Sequence, residues 1–311
     1  MTTPAGVTPD RDFRCSSASV LRDEPLAGTA STVRAFLLVE NTGPWGVDAL
    51  RDSRLPAGVG PALTAAAGAA RVRVLMVRRP DRLRHQRGMR IFGAFADPSA
   101  PRLETGAITD PRELLDLDLA GLAAGRSLGL AEADDPLYCV CTHGRHDACC
   151  AERGRPVAAA LALAHPEETW EVSHIGGDRF AGNLLVLPHG LYYGRLDPVT
   201  ALSVAGAHRS GQLELDHLRG RSGYAMPVQF AEVALRRELP ESREGALRLV
   251  SRRVSREADG DVTTVVFDVA GAAWQVRVRS ASGADLWQLT CKATRENPIP
   301  RYQPLEVARV K

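Results

Sequence analysis

Apolar positions fall into short blocks that occur in the same order twice. Residues 33–40 (VRAFLLVE) form a nearly unbroken apolar, β-branched run, the pattern of a strand covered on both faces. Residues 60–70 are alanine-rich and read as a helix, and residues 72–77 read as a second strand. A hairpin of residues 91–96 and 103–107 follows, then a helix over residues 111–122 with Asp110 as its N-cap. The second pass starts with LYCVC at residues 137–141 as a strand and continues as a helix over 149–164 and a strand over 169–173. Strands at 184–187 and 191–196, separated by Pro188-His189-Gly190, and a helix at 198–207 complete it.

The order β-α-β-β-β-α, met twice, predicts an α/β protein of two thioredoxin-like halves, residues 1–130 and 135–222. Beyond residue 223 the pattern changes. Residues 227–239 carry an imperfect helical apolar face. Apolar residues then recur at every second position, Val265, Phe267 and Val269 and again Trp274, Val276 and Val278, on either side of Ala270-Gly271-Ala272. This predicts a C-terminal extension, residues 223–311, of one helix and a β-hairpin, with a further strand at 286–291.

Composition narrows the functional classes. The 311 residues hold 39 basic and 37 acidic side chains, so no electrostatic footprint of a nucleic-acid binder or an anionic-membrane protein is present. The segment MTTPAGVTPDRDFRC has no apolar stretch behind its charges, and the longest aliphatic run, residues 157–164, falls well short of a membrane span. The expected location is cytoplasmic. Six arginines between positions 78 and 90 read as a solvated connection, or as a docking strip for an acidic redox partner.

In a reducing compartment six cysteines do not count as three bridges. Cys139, Cys141, Cys149 and Cys150 lie within twelve residues together with His143 and His146, whereas Cys15 and Cys291 are remote and are expected to have no ligand role. In Cys141-Thr-His-Gly-Arg-His-Asp-Ala-Cys-Cys150 a strand gives way to a helix. Asp147 is placed as N-cap, and Cys149 and Cys150 fall in the first turn, where the helix dipole favours thiolates. No C-x-x-C pair exists, which argues against a dithiol oxidoreductase, and Cys139 reads as a small core residue. In Ser173-His-Ile-Gly-Gly-Asp-Arg-Phe180, Gly176 and Gly177 permit a close approach by a cofactor, flanked by His174 and Asp178. Asp178 also suits a cap on a turn starting at Arg179. Neighbouring strand ends bring Cys141, Cys150 and His174 toward one edge, predicting one site built from two segments.

These segments resemble the sucrase/ferredoxin-like family, which includes thioredoxin-like ferredoxins with a bis-histidinyl [2Fe-2S] centre. Its motif is Cys-x8-Cys followed by His-x-Gly-Gly-His. Cys141 and Cys150 have that spacing, and His174-Ile-Gly-Gly fits the second element. EPLAGTA, ENTGPWG and RFAGNLLVLPHGLYYGRL are similar to actinobacterial-type members. Asp178 stands where the family has its second histidine.

The resemblance implies a [2Fe-2S] cluster on Cys141, Cys150, His174 and Asp178, with Cys149, His143 and His146 as substitutes for Asp178. It implies an electron carrier between a reductase and an acceptor, with no nucleic-acid or membrane partner and no catalytic residue. Nothing in the residues supports a sucrase. The alternatives are a cluster-free thiol redox enzyme using Cys149 or Cys150, and a structural module holding zinc.

Overall fold

The computed structural model describes residues 10–80 and 88–310, so Arg82, Arg84 and Arg87 of the basic segment lie outside the described residues. Helix α1 (Cys15–Leu21) precedes β1 (Ala35–Glu40), α2 (Val59–Ala70), β2 (Val72–Arg78), the hairpin β3 (Met89–Phe95) and β4 (Arg102–Ile108), and α3 (Leu119–Ala123). After β5 (Ala131–Glu132) come β6 (Leu137–Cys141), α4 (Ala148–Ala164), β7 (Thr169–Val172), β8 (Leu184–Leu187), β9 (Leu191–Tyr193) and α5 (Pro198–Arg209). Then follow β10 (Leu218–Arg221), α6 (Met226–Glu238), β11 (Leu247–Glu257), β12 (Gly260–Val269), β13 (Ala272–Trp287) and β14 (Asn297–Arg309). The α/β class read from the pattern is the class observed.

Ten strands form one sheet in the order β10-β9-β8-β6-β7-β2-β1-β3-β4-β5. In each half the first two strands pair in parallel, β1 with β2 and β6 with β7, and the next two add antiparallel. The halves meet edge to edge where Val77 and Arg78 of β2 face Val172 and Glu171 of antiparallel β7. Arg78 seals that seam with an ion pair to Glu171 at 2.6 Å.

The unbroken apolar runs have the physical reason expected of them. Along β1, Phe36 and Leu38 enter one core while Ala35, Leu37 and Val39 enter another. Along β6, Leu137, Cys139 and Cys141 share the first of these cores, and Tyr138 and Val140 face α4 and α5 in a third. The first core is therefore common to both halves. Phe92 and Trp170, from strands three positions apart in the sheet, meet there edge to face at 5.2 Å.

Several expectations need correction. Residues 111–122 are not one helix but a 3-10 turn, Pro111–Leu115, and α3. Asp110 caps the first as expected, and Asp118 restarts the chain by accepting from Gly121 N at 2.7 Å. β9 stops at Tyr193 because Arg195 takes a left-handed backbone.

The C-terminal extension is a four-stranded antiparallel sheet, β11-β12-β13-β14, packed on α6. Its hairpin turns at Gly271 as the alternation predicts, whereas β11, rich in exposed arginine, has no apolar pattern that predicts it. The strand expected at 286–291 is the end of β13, and Cys291 lies beyond it. β14 holds Pro298, Pro300 and Pro304, which only an edge strand tolerates.

Candidate metal centre

β6 delivers Cys141 to the sheet edge, and α4 returns directly over it. The approach is so close that a Cβ at Gly154 would collide with the Cys141 carbonyl oxygen. Asp147 caps α4 by accepting from Cys149 N at 2.9 Å, which places Cys149 and Cys150 in its first turn as the sequence predicts.

One group of donors gathers around Asp178. Cys150 Sγ donates to Asp178 Oδ1 at 3.1 Å, and the Cys141 thiol interacts with that of Cys150. His174 Nδ1 lies 2.9 Å from the same oxygen, and His146 Nε2 lies 3.5 Å from Oδ2. The His146 and His174 rings stack with centroids 3.8 Å apart. His174 Nδ1 is buried, with the Asp178 carboxylate facing it. The thiols and the carboxylate are buried, while the edges of His143, His146 and His174 face a surface groove lined also by Leu50 and Arg73.

Asp178 does not cap its turn. Gly177 occupies that position and no side chain caps there, so the carboxylate is free to face the imidazoles. Burial alone raises its pKa, but His146 and His174 outweigh that and hold it well below the usual carboxylate range. In return Asp178 raises the pKa of His146. Cys141 is lowered by the thiol of Cys150, and Cys150 is raised by Cys141 and by burial, so any single thiolate of this pair sits on Cys141.

Two of the substitute donors have other partners. His143 is engaged at both nitrogens: Nε2 contacts Gly46 O at 2.7 Å, and Nδ1 accepts from His174 N–H at 3.3 Å. Those partners assign its proton to Nε2 and make it a support for the loop. Cys149 turns away to a second group described below.

The loop holding His174 is gripped mainly from outside its own half. Arg73 donates to His174 O at 2.9 Å, Ser173 Oγ accepts from Met76 N at 3.0 Å, and Ser31 Oγ donates to Ile175 O at 3.0 Å. Gly176 and Gly177 both have positive φ, 99° and 80°. The space their missing side chains leave is taken by Ser31 and by the guanidinium of Arg219. Arg219, fully buried, donates to Gly176 O at 3.0 Å, Asn183 Oδ1 at 2.8 Å, Thr29 O at 2.6 Å and Thr29 Oγ1 at 3.1 Å.

A family model described as sucrase/ferredoxin-like matches residues 26–220, more than half of the chain. The chain belongs to the sucrase/ferredoxin-like family. No curated protein and no solved structure matches it. The segments that carried the family resemblance are neighbours in space. Glu24 of EPLAGTA pairs with Arg179 of RFAGN at 2.6 Å. Trp45 of ENTGPWG meets His143 edge to face at 5.7 Å, and Arg78 lies 4.1 Å over Trp45. Among the described residues no helix is long and apolar enough to cross a membrane.

Outside the region matched by the family, Cys15 and Cys291 are not the remote residues their positions suggest. Cys149 Sγ lies 3.4 Å from Cys291 Sγ and 3.7 Å from Cys15 Sγ, and Cys15 and Cys291 are 3.6 Å apart. Asp147 completes this group, with both carboxylate oxygens 3.7 Å from Cys15 Sγ. Spacing carried no signal for it. All six cysteines are free and buried, which withholds Cys149 and Cys150 from use as open nucleophiles.

Proposed function

We propose that this protein is an electron carrier of the sucrase/ferredoxin-like family whose Asp178-centred site holds one [2Fe-2S] cluster. The observation that carries the reading is the meeting of one buried thiol, Cys150, and two part-exposed imidazoles, His146 and His174, on one carboxylate, with the thiol of Cys141 beside Cys150. The donor chemistry fits the group: thiolates on the protected side, imidazole toward solvent, as in centres of mixed cysteine and histidine ligation. Cys141, Cys150 and His174 would hold it, and the fourth position falls to Asp178 or His146, because His143 and Cys149 are engaged elsewhere. When bound, the cluster supplies a one-electron couple.

The residues of the chain do the rest. Burial of Cys141 and Cys150 excludes water from the thiol side, and Arg73, Ser31 and Arg219 fix the loop that presents His174. The groove at His143, His146 and His174 leaves the imidazole side open to a reductase or an acceptor. The repeated strand order suits two thioredoxin-like halves, the first acting as scaffold for the second.

The test is a visible spectrum with iron and acid-labile sulfide analysis on anaerobically purified protein, expecting two irons and two sulfides per chain by the definition of the cluster. Cys141→Ser should lose both. A second reading, a single zinc or iron ion without sulfide, is favoured by compactness, since donor atoms of His146, His174 and Asp178 all lie within 4.8 Å of one another. Metal without sulfide or colour that is lost in His174→Ala would select it.

A further inference from the structure

We propose that Cys15, Cys149, Cys291 and Asp147 form a second, separate metal site that binds one zinc ion and clamps three distant segments of the chain together. The sulfur triangle has edges of 3.4, 3.6 and 3.7 Å. A disulfide needs about 2.0 Å, so no pair is bonded. Three thiolates around one tetrahedral ion with Zn–S near 2.3 Å stand about 3.8 Å apart. Cysteine sulfurs bound to different irons of a cluster would be spread more widely, so three sulfurs this close have the size of a mononuclear site.

The fourth donor is the independent observation. Asp147 is completely buried, and among the described residues it has no cationic partner. Its oxygens accept from the backbone, Oδ1 from Cys149 N at 2.9 Å and Oδ2 from Cys291 N at 2.7 Å, and otherwise from the Cys15 thiol, 3.7 Å from each, whose proton leaves when a metal binds. Each keeps a lone pair toward the triangle. An uncompensated carboxylate in the interior is costly, and a divalent cation removes that cost. Loading the site takes three protons from the three thiols, which pass to solvent, and leaves three thiolates, one carboxylate and one zinc ion. The sum carries the same charge as a four-cysteine structural site. Closure by four protein donors at buried positions marks a structural ion rather than a catalytic one.

The site joins the start of α1, the first turn of α4 and the segment after β13. Cys149 and Cys150 are thereby divided between two centres. A zinc ion on Cys149 holds the helix end that presents Cys150, whether or not the Asp178-centred site carries iron.

Zinc analysis and zinc-edge X-ray absorption on the full chain, purified under reducing conditions without chelator, test the proposal. About one zinc per chain is expected, with three sulfurs near 2.3 Å and one oxygen near 2.0 Å. Cys291→Ser should weaken zinc retention at least ~10-fold against a competing chelator, while iron and sulfide stay unchanged and Cys141→Ser keeps its zinc. Absence of zinc after growth in zinc-supplemented medium, a coordination shell dominated by nitrogen, or iron on these sulfurs would overturn it, as would undiminished zinc in Cys291→Ser. Should that variant fail to fold, the sulfur count in the unaltered protein decides alone.

Discussion

Cys149 and Cys150 are consecutive, yet their sulfurs belong to different groups: Cys149 Sγ lies 3.4 Å from Cys291 Sγ, whereas Cys150 Sγ donates to Asp178 Oδ1 at 3.1 Å. Successive residues of an α-helix point about 100° apart, so the first turn of α4 distributes the pair to two sides. Substitutions at the two positions should therefore have separable effects.

Asp178→Asn keeps the shape of the side chain and removes its charge. Because the carboxylate raises the pKa of His146, the metal-free variant should show His146 titrating at lower pH than in the unaltered protein. NMR of the imidazole C–H resonances reads this. An unmoved titration would mean that the carboxylate does not face the ring.

Arg219 satisfies four acceptors around Gly177, and lysine cannot reproduce its planar fork. Arg219→Lys should cost about 3 kcal/mol, several acceptors being left in the interior without donors. Urea unfolding measures the loss, and faster amide exchange in the 174–178 loop should accompany it.

Gly154→Ala sets two effects against each other. Alanine gains about 1 kcal/mol in helix propensity. The added Cβ meets the backbone carbonyl of Cys141, which cannot move without displacing β6. Overpacking of this kind costs about 1–3 kcal/mol, so the variant should be less stable and its metal content reduced. Unfolding midpoints and metal analysis check both parts.

Far from the Asp178-centred site, His208 Nε2 lies 3.2 Å from His189 Nδ1, and burial, with His189 beside it, pushes the His208 pKa down to about 4. The unfolded chain binds that proton near pH 6.5, so between these values it holds more protons than the folded one. Stability is complete above about pH 6.5 and falls toward pH 4, at up to about 1.4 kcal/mol per pH unit for each such proton. His208→Gln should flatten this acid limb in urea titrations at pH 7.5 and 5.

Residues 135–222 expressed alone should not fold stably. Val172, Ile175 and Tyr192 bury themselves in a core completed by Phe36, Leu38, Val77 and Phe92 of the other half. Circular dichroism and thermal unfolding of the fragment test this. A cooperative transition would show that the second half is self-sufficient.

What could be read in the sequence was local. The runs at 35–40 and 137–141 announced strands covered on both faces, Asp147 announced the start of α4, and the spacing of Cys141, Cys150 and His174 placed them at one edge. Short-range rules failed where two of them competed. Asp178 satisfied the pattern of a cap as well as that of a ligand, and Asp118 broke a helix whose apolar spacing continued through it. Proline in β14 hid a strand that tolerates it only because it lies at an edge. Nothing local could signal that Ser31 and Arg219 fill the space beside Gly176 and Gly177, since that depends on residues far away in the chain.

The contact of Cys15 with Cys291 spans 276 positions, so it closes most of the polypeptide into a ring. In an unfolded chain, bringing two such points together costs about 5 kcal/mol of entropy, and any bond across them withdraws that freedom from the unfolded ensemble. Proteolytic nicking between α1 and β1 should therefore be felt at the far side of the ring. A cut that separates Cys15 from the rest loosens the segment around Cys291, and the two regions should lose protection from exchange together although no strand or helix joins them.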